Sequence, residues 1–536
     1  MQNPLTRVQH GLRRRWVHAR SNERILRIGE QVAQAALPDA SARPVVFFNA
    51  STRLLGLSLN ASFQQAAAWS VRLAGVPVVH FVCQGGMSRC VLGTDREDPQ
   101  ALPPCPGCIA QSRPLYQNGD AHWFIYKADP ILEPVLQRLD LQTLTALVWE
   151  GVPLGALCLP SLRWVLRRHH LVDDEPTRSL LREYILSAWR VVQEFGALLD
   201  RHNPRAVVVF NGMFYPEAVV RWVSRRRGVR VVSHEVGLRP FSAYFTTGEA
   251  TAYPIDIPEE FELTPEQDAR LDAYLEQRVQ GNFSMAGIRF WPEMRGLDES
   301  FLARLAQFKQ VVPVFTNVIF DTSQPHSNTV FPHMFAWLDM VLEIIRAHPE
   351  TLFVVRAHPD ESRPGKASVE SVADWARRNR LVTLRNVAYV DSRESFSSYE
   401  LIQRSKFVMV YNSTIGLEAS LMGAPVLCGG KARFTQLPTV FFPSNPEDYH
   451  RQAQAFLAAE KIMVPPAFKR NARRFLYYQL YKASLPFDAL LEEDGVWPGY
   501  VRFKELSAAA FDPHNSAVMR TVVEGILEGK PFLLDE

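Results

Sequence analysis

Short, unbroken apolar runs recur along this chain. Each ends in a polar or glycine-bearing turn and leads into a stretch of helical periodicity. Pro44-Val45-Val46-Phe47-Phe48-Asn49 is the first, closing in the turn Asn49–Thr52. Residues 60–74 follow as a helix ended by Gly75, and Val76–Cys83 is the next run. Runs without polar alternation predict strands covered on both faces, and strand–helix–strand order predicts a parallel sheet. The pattern returns at Arg205–Asn211, Tyr215–Arg227 and Val229–Glu235. It returns again at Val311–Phe315, Phe331–Ala347, Leu352–Arg356, Ser368–Asn379, Phe407–Tyr411 and Pro425–Cys428. Residues 130–200 read as several helices broken near Pro153 and Pro160.

The plan this predicts is α/β, with two Rossmann-like domains facing a cleft and helical extensions at both ends. Residues 1–40 form a helical arm. Residues 41–255 form an amino-terminal domain with a Cys-rich insert at 83–108. Residues 256–310 are a charged helical connection, 311–445 a second domain, and 446–536 a helical extension. A chain of 536 residues exceeds a single core, which agrees with two domains.

The chemistry concentrates where strands end. After Phe407–Tyr411 comes the turn Asn412-Ser413-Thr414 and a helix opening Ile415-Gly416-Leu417-Glu418. Ser and Thr before a helix are ordinary caps. The same turn also offers unpaired backbone N–H groups, the positive end of a helix and two hydroxyls to an anion. Glu418, one turn into the helix, is placed to hold a sugar diol. Arg356 and His358 end the strand Leu352–Val355, and Gly423-Ala424-Pro425-Val426 permits close backbone approach. Phosphate at the helix tip beside a diol describes a nucleotide, at the carboxyl ends of strands where open α/β sheets bind ligands.

The R-x-H-P segment at Arg356 and the N-S-T-x-G-L-E-A-x-x-x-G-x-P-V segment at Asn412 resemble capsule polysaccharide biosynthesis proteins over about residues 310–435. Those proteins are similar to GT-B glycosyltransferases and include bacterial Kdo transferases that use CMP-Kdo. The resemblance implies that Arg356, His358, Ser413 and Thr414, with Asn412 and Gly416 in the same turn, line the donor phosphate, and that Glu418 lies near the ribose. It implies a nucleotide-sugar donor, with CMP-sugars favoured, and a glycan or glycolipid acceptor. The Cys-rich segment has no counterpart in the better-known transferases.

An acceptor base is expected from the facing rim. His234 and Glu235 end the strand Val229–Val232, Glu217 opens a helix, and Asp321 follows the first strand of the second half. Capping and loop roles are the commoner fate of such groups. Glu235 or His234 is the first choice and Asp321 the next. No Asp-x-Asp motif stands in the right place, so no cofactor is expected for the chemistry. Cys83, Cys90, Cys105 and Cys108 carry the donor set for a structural zinc, although Cys83 also suits a core position and the spacing matches no standard knuckle.

Composition narrows the class. With 47% hydrophobic and 21% charged residues the chain is globular, and a net charge of +3 gives no reason to expect nucleic acid. No apolar stretch is long enough for a membrane span, and the amino terminus lacks a signal-peptide core. A cytoplasmic protein is expected. Arg13-Arg14-Arg15-Trp16 would suit attachment to an anionic inner-membrane surface, against the blander reading of a solvated helix face. Two other functions fit: a nucleotide-sugar epimerase of the UDP-GlcNAc 2-epimerase type, and a non-catalytic polysaccharide-binding or export protein.

Overall fold

A computed structural model of the protein describes residues 4–50, 56–279, 295–394, 396–496 and 499–535. The first half supplies parallel strands β1 (Val45–Asn49), β2 (Val78–Cys83), β3 (Asp120–Phe124), β4 (Ala206–Phe210) and β5 (Arg230–Val236). β6 (Ser242–Thr246) returns antiparallel to β5. The second half supplies β7 (Gln310–Phe315), β8 (Thr351–Arg356), β9 (Val387–Val390), β10 (Val408–Val410) and β11 (Val426–Cys428), all parallel. Beyond them lie the two-residue β12 (Leu485–Pro486) and a hairpin of β13 (Leu491–Glu493) and β14 (Val501–Phe503).

The first sheet runs β12-β6-β5-β4-β1-β2-β3 and the second β11-β10-β7-β8-β9. The chain is therefore an α/β protein of two Rossmann-like domains, with helical extensions before and after them. The unbroken apolar runs are explained by burial on both faces. Val46 and Phe48 of β1 pack with the helices Glu175–His202 and Tyr215–Arg226. Val45 and Phe47 pack on the other face, with the helix Leu59–Leu73. In the second domain Val312 and Val314 meet the helix Met334–Ala347, while Val311 and Val354 meet the helices Ile415–Leu421 and Pro466–Tyr477.

The last ninety residues bind the halves together. Helix Pro466–Tyr477 covers the second sheet, β12 pairs with β6 and so forms the edge of the first, and helix Ala517–Glu528 packs on the first sheet's core. Helix Pro4–Ala35 buries Ile25, Ile28 and Val32 in that same core, so its second half is a packed element rather than a detached arm.

Several readings change in the structure. Pro160 does not break its helix, which runs from Leu154 to Leu166; the fold accepts one lost hydrogen bond inside a well-packed element. The helix expected at 368–379 is confined to Val372–Arg378, where Ser371 and Asp374 form a reciprocal cap. β3, β6, β9 and the hairpin were not legible in the sequence. Part of the turn expected at Asn49–Thr52 lies outside the described residues, as do residues 280–294 of the expected helical connection. None of the helices among the described residues is long and apolar enough to cross a membrane.

Candidate functional site

A cleft of about 1080 Å³ opens at the carboxyl ends of β7, β8 and β10. One wall is the segment that follows β6, through Glu249, Thr251 and Pro254. The other carries Asp321, Arg356, His358, Ser413, Thr414, Lys431 and Arg433. The halves touch around it: Gln436 accepts the Ile255 N–H (2.9 Å) and donates to the Tyr253 carbonyl (2.9 Å), while the Arg433 guanidinium lies 3.6 Å over the Tyr253 ring. Glu249 accepts from Arg221 (2.8 Å) and lies 3.2 Å from His326 Nδ1 across the cleft.

Arg356 is the most constrained of these groups. It ends β8, is only 8% exposed, and donates from Nη1 to the Phe396 carbonyl at 2.5 Å. Among the described residues it has no carboxylate at ion-pair distance; Glu394 acts on it only from farther off. Burial lowers its pKa to about 10, so it stays charged. A buried cation without a carboxylate is costly, by several kcal/mol, and an anion in the cleft would offset that cost. Neither Lys431 nor Arg433 has an ion-pair carboxylate among the described residues.

His358 is half-buried and its Nδ1 accepts the Asp360 N–H at 3.2 Å, holding the short turn Pro359–Ser362. Burial pulls its pKa down, against the opposite pull of Asp360 and Asp321. The ring therefore favours its neutral form, unlike the protonated His358 one would want beside a phosphate. Ser413 is buried and Thr414 exposed, both at the tip of Ile415–Leu421. Asn412 is tied into the scaffold: its amide donates to Ser327 Oγ (2.5 Å) and its N–H to Asn317 Oδ1 (3.2 Å).

Two residues expected at the ligand are placed differently. Gly416 does not line the cleft; a Cβ there would sit 2.9 Å from Val410 Cγ2 and 3.0 Å from Phe434 Cζ, so the glycine serves close packing. Glu418 does line it, but both oxygens are engaged. Oε1 accepts from Arg278 Nε (2.8 Å) and Nη2 (2.5 Å), and Oε2 from the Tyr399 hydroxyl (2.6 Å).

The base candidates separate. His234 is fully buried between Phe210 and Phe245, and its Nε2 meets Gln64 Oε1 at 2.8 Å. Burial holds its pKa at about 3, which makes it a neutral core histidine and removes it from the cleft chemistry. Glu217 is likewise wholly buried. Glu235, next to last in β5, is half-buried and does not line the cleft; it is held by Asn211 (2.9 Å), Asn60 (3.2 Å) and its neighbour's N–H at Val236 (3.0 Å). Burial raises its pKa against those donors. Asp321 faces the cleft, its Oδ1 accepting the Ser323 N–H at 2.8 Å.

The four cysteines lie near enough to influence one another electrostatically, and burial pushes the Cys83 thiol up to about 11. Yet no three of these sulfurs stand within 4.8 Å of one another, whereas zinc–thiolate tetrahedra need S–S separations of about 3.8 Å. The expected closed four-thiolate site is thus not formed by the present arrangement. Glu249, Arg278, His326, Tyr399, Lys431 and Arg433 were not anticipated. Lys431 and Arg433 could have been found, since they directly follow β11 at its carboxyl end; Arg278 and Tyr399 arrive from distant segments without a local signal.

Fold and cleft together define a two-domain α/β protein of GT-B-like layout. Residues 295–438 match the model of the capsule polysaccharide biosynthesis protein family, which bears out the resemblance carried by the Arg356 and Asn412 motifs. No curated protein matches the chain. Among solved structures, the KpsC beta Kdo 2,4 transferase of Thermosulfurimonas dismutans is 14% identical with a TM-score of 0.35, covering 52% of this chain and 80% of that one. UDP-GlcNAc 2-epimerase from Neisseria meningitidis bound to UDP-GlcNAc is 11% identical with a TM-score of 0.25, covering 81% and 98%. Sucrose-phosphate synthase of Thermosynechococcus elongatus is 12% identical with a TM-score of 0.28, covering 83% and 96%.

Proposed function

We propose that the protein is a glycosyltransferase of capsule or surface polysaccharide assembly, moving a sugar from a nucleotide donor to a glycan or glycolipid hydroxyl. The observation that carries this reading is Arg356, a buried cation without a carboxylate partner at the rim of a cleft that also presents Lys431, Arg433 and the Ser413–Thr414 turn. Such an arrangement suits the phosphate of a departing nucleotide.

In the reaction so assigned, the acceptor O–H gives its proton to Asp321, the base candidate that lines the cleft, while its oxygen forms a bond to the anomeric carbon. The bond from that carbon to the donor phosphate oxygen breaks, and the electron pair leaves with the phosphate. Arg356, the Ser413 and Thr414 hydroxyls and a neutral His358 donating from Nε2 then stabilise the leaving charge. Glu418 acts on the ribose only as part of its unit with Arg278 and Tyr399. The chemistry asks for no cofactor, and a CMP-sugar is the first donor to try.

Thermal stabilisation of wild type and Arg356→Gln by CMP, CDP, UDP, GDP, dTDP and CMP-sugars tests the donor half. A selective shift lost in the variant supports the assignment; no shift with any nucleotide overturns it. Product analysis with donor alone separates transfer from epimerisation. Asp321→Asn should then retain the nucleotide shift and lose transfer.

The same reading places the protein on the cytoplasmic face of the inner membrane. Trp16 is 57% exposed, with Arg20 4.7 Å over its ring and the exposed Arg13 and Arg15 nearby. Co-sedimentation with anionic but not neutral vesicles, lost in Trp16→Ala, tests this attachment.

A further inference from the structure

Away from the cleft, three histidines from both halves of the molecule meet. His169 and His170 follow the helix Leu154–Leu166 of the first half, and His333 begins the helix Met334–Ala347 of the second. Their rings lie 4.7 Å (His169–His333), 4.7 Å (His170–His333) and 5.0 Å (His169–His170) apart, centroid to centroid. Each offers one nitrogen, and the three nitrogens all lie within 4.8 Å of one another.

Clustering imidazoles has no packing rationale that aliphatic residues would not satisfy better, and the cluster comes with a supporting carboxylate. Glu370 Oε1 lies 2.6 Å from His170 Nδ1, while Oε2 accepts the backbone N–H groups of His169 (2.9 Å) and His170 (3.0 Å). A carboxylate on Nδ1 fixes the tautomer whose Nε2 lone pair is open, the usual support for a metal-bound histidine. Arg163 donates to the His169 carbonyl at 3.0 Å and so braces the loop from beneath.

We propose that His169, His170 and His333 form a binding site for a divalent transition-metal ion, with Zn²⁺ the probe of choice, which ties the two halves together. Three imidazoles suit zinc, copper or nickel, and His170, with its half-exposed ring, leaves a fourth position to water. His333 caps its helix through Nδ1, 3.1 Å from the Ala336 N. To join as a ligand it exchanges this single hydrogen bond for a metal–nitrogen bond. None of the three lines the donor cleft, so the ion acts on the relation between the halves and not on the leaving phosphate.

The test uses the full chain stripped with a chelator and titrated with Zn²⁺ against a fluorescent zinc indicator. One ion per chain is expected, with a metal-dependent rise in melting temperature. Affinity should fall at least tenfold in His170→Gln and in His333→Asn, where asparagine preserves the helix cap. Glu370→Gln should weaken binding 10- to 100-fold. Cys90→Ser combined with Cys105→Ser should leave affinity unchanged. Co²⁺ bound to the wild type should show visible d–d bands without thiolate charge transfer, a readout independent of whether any variant folds. No stoichiometric binding, or a cobalt spectrum with thiolate charge transfer and zinc affinity that follows the cysteines, overturns the site. Nucleotide stabilisation is read separately, so failure here leaves the donor assignment standing.

Discussion

Arg278 and Glu418 form a buried ion pair in which two guanidinium nitrogens, at 2.8 and 2.5 Å, converge on one carboxylate oxygen. The pair joins the helix Pro265–Val279, which precedes the second sheet, to the helix Ile415–Leu421 within it. Tyr399 holds the other oxygen. Glu418 thus fixes one wall of the cleft and is not simply a group waiting for a ligand.

Removing one partner leaves the other charge buried. Arg278→Ala should cost about 3–5 kcal/mol in urea unfolding. Replacing both partners, Arg278→Met with Glu418→Leu, should cost clearly less than the single change. A single-variant loss below ~0.5 kcal/mol would remove the pair from any account of the wall.

Arg356 should behave in the opposite sense. Its charge has no ion-pair carboxylate, so Arg356→Gln should leave stability unchanged or raise it while weakening nucleotide binding by about 10- to 100-fold, from charge-assisted hydrogen bonds worth roughly 1.5–3 kcal/mol. Calorimetric titration beside urea unfolding checks both halves. Lost stability with unchanged affinity would make Arg356 a structural residue.

Gly416→Ala separates packing from binding. The added methyl meets Val410 and Phe434 at about van der Waals overlap, and overpacking costs about 1–3 kcal/mol. Nucleotide affinity of the folded variant should stay within about twofold of wild type. A large affinity loss at unchanged stability would return Gly416 to the ligand.

Stability should pass through a maximum near neutral pH. Glu361 is buried, and burial, helped by Asp391 and Asp374 against the Val372 N–H, raises its pKa from 4.5 to about 8. Between those values the folded state holds a proton that the unfolded chain has released, so stability falls as pH rises toward 8. His169 and His234 are held at about 3 by burial, against 6.5 when unfolded. Between those values the unfolded chain binds the extra protons, so stability falls as pH drops below 6.5. Urea unfolding from pH 4.5 to 9 should show both slopes, and Glu361→Gln should flatten the alkaline one. An unchanged alkaline slope in that variant would assign it to other groups.

The sequence by itself determined the two-domain α/β plan, because strands covered on both faces must be apolar throughout, as Val45–Phe48 and Leu352–Val355 are. It also determined that Arg356, His358 and the Ser413–Thr414 turn share a rim, since parallel strands place their carboxyl ends together. Tertiary structure alone decided which groups are available there. Adjacent in sequence, His234 and Glu235 part company because a strand turns successive side chains to different surroundings: one lies in an aromatic core, the other on two asparagines. Arg278 reaches Glu418 across 140 positions, and His333 reaches His169 and His170 across more than 160. No local pattern encodes such meetings; they follow from how helices of different segments dock. Short elements such as β6 and the edge strand β12 were hidden for the same reason, since their pairing depends on the neighbour that the rest of the fold supplies.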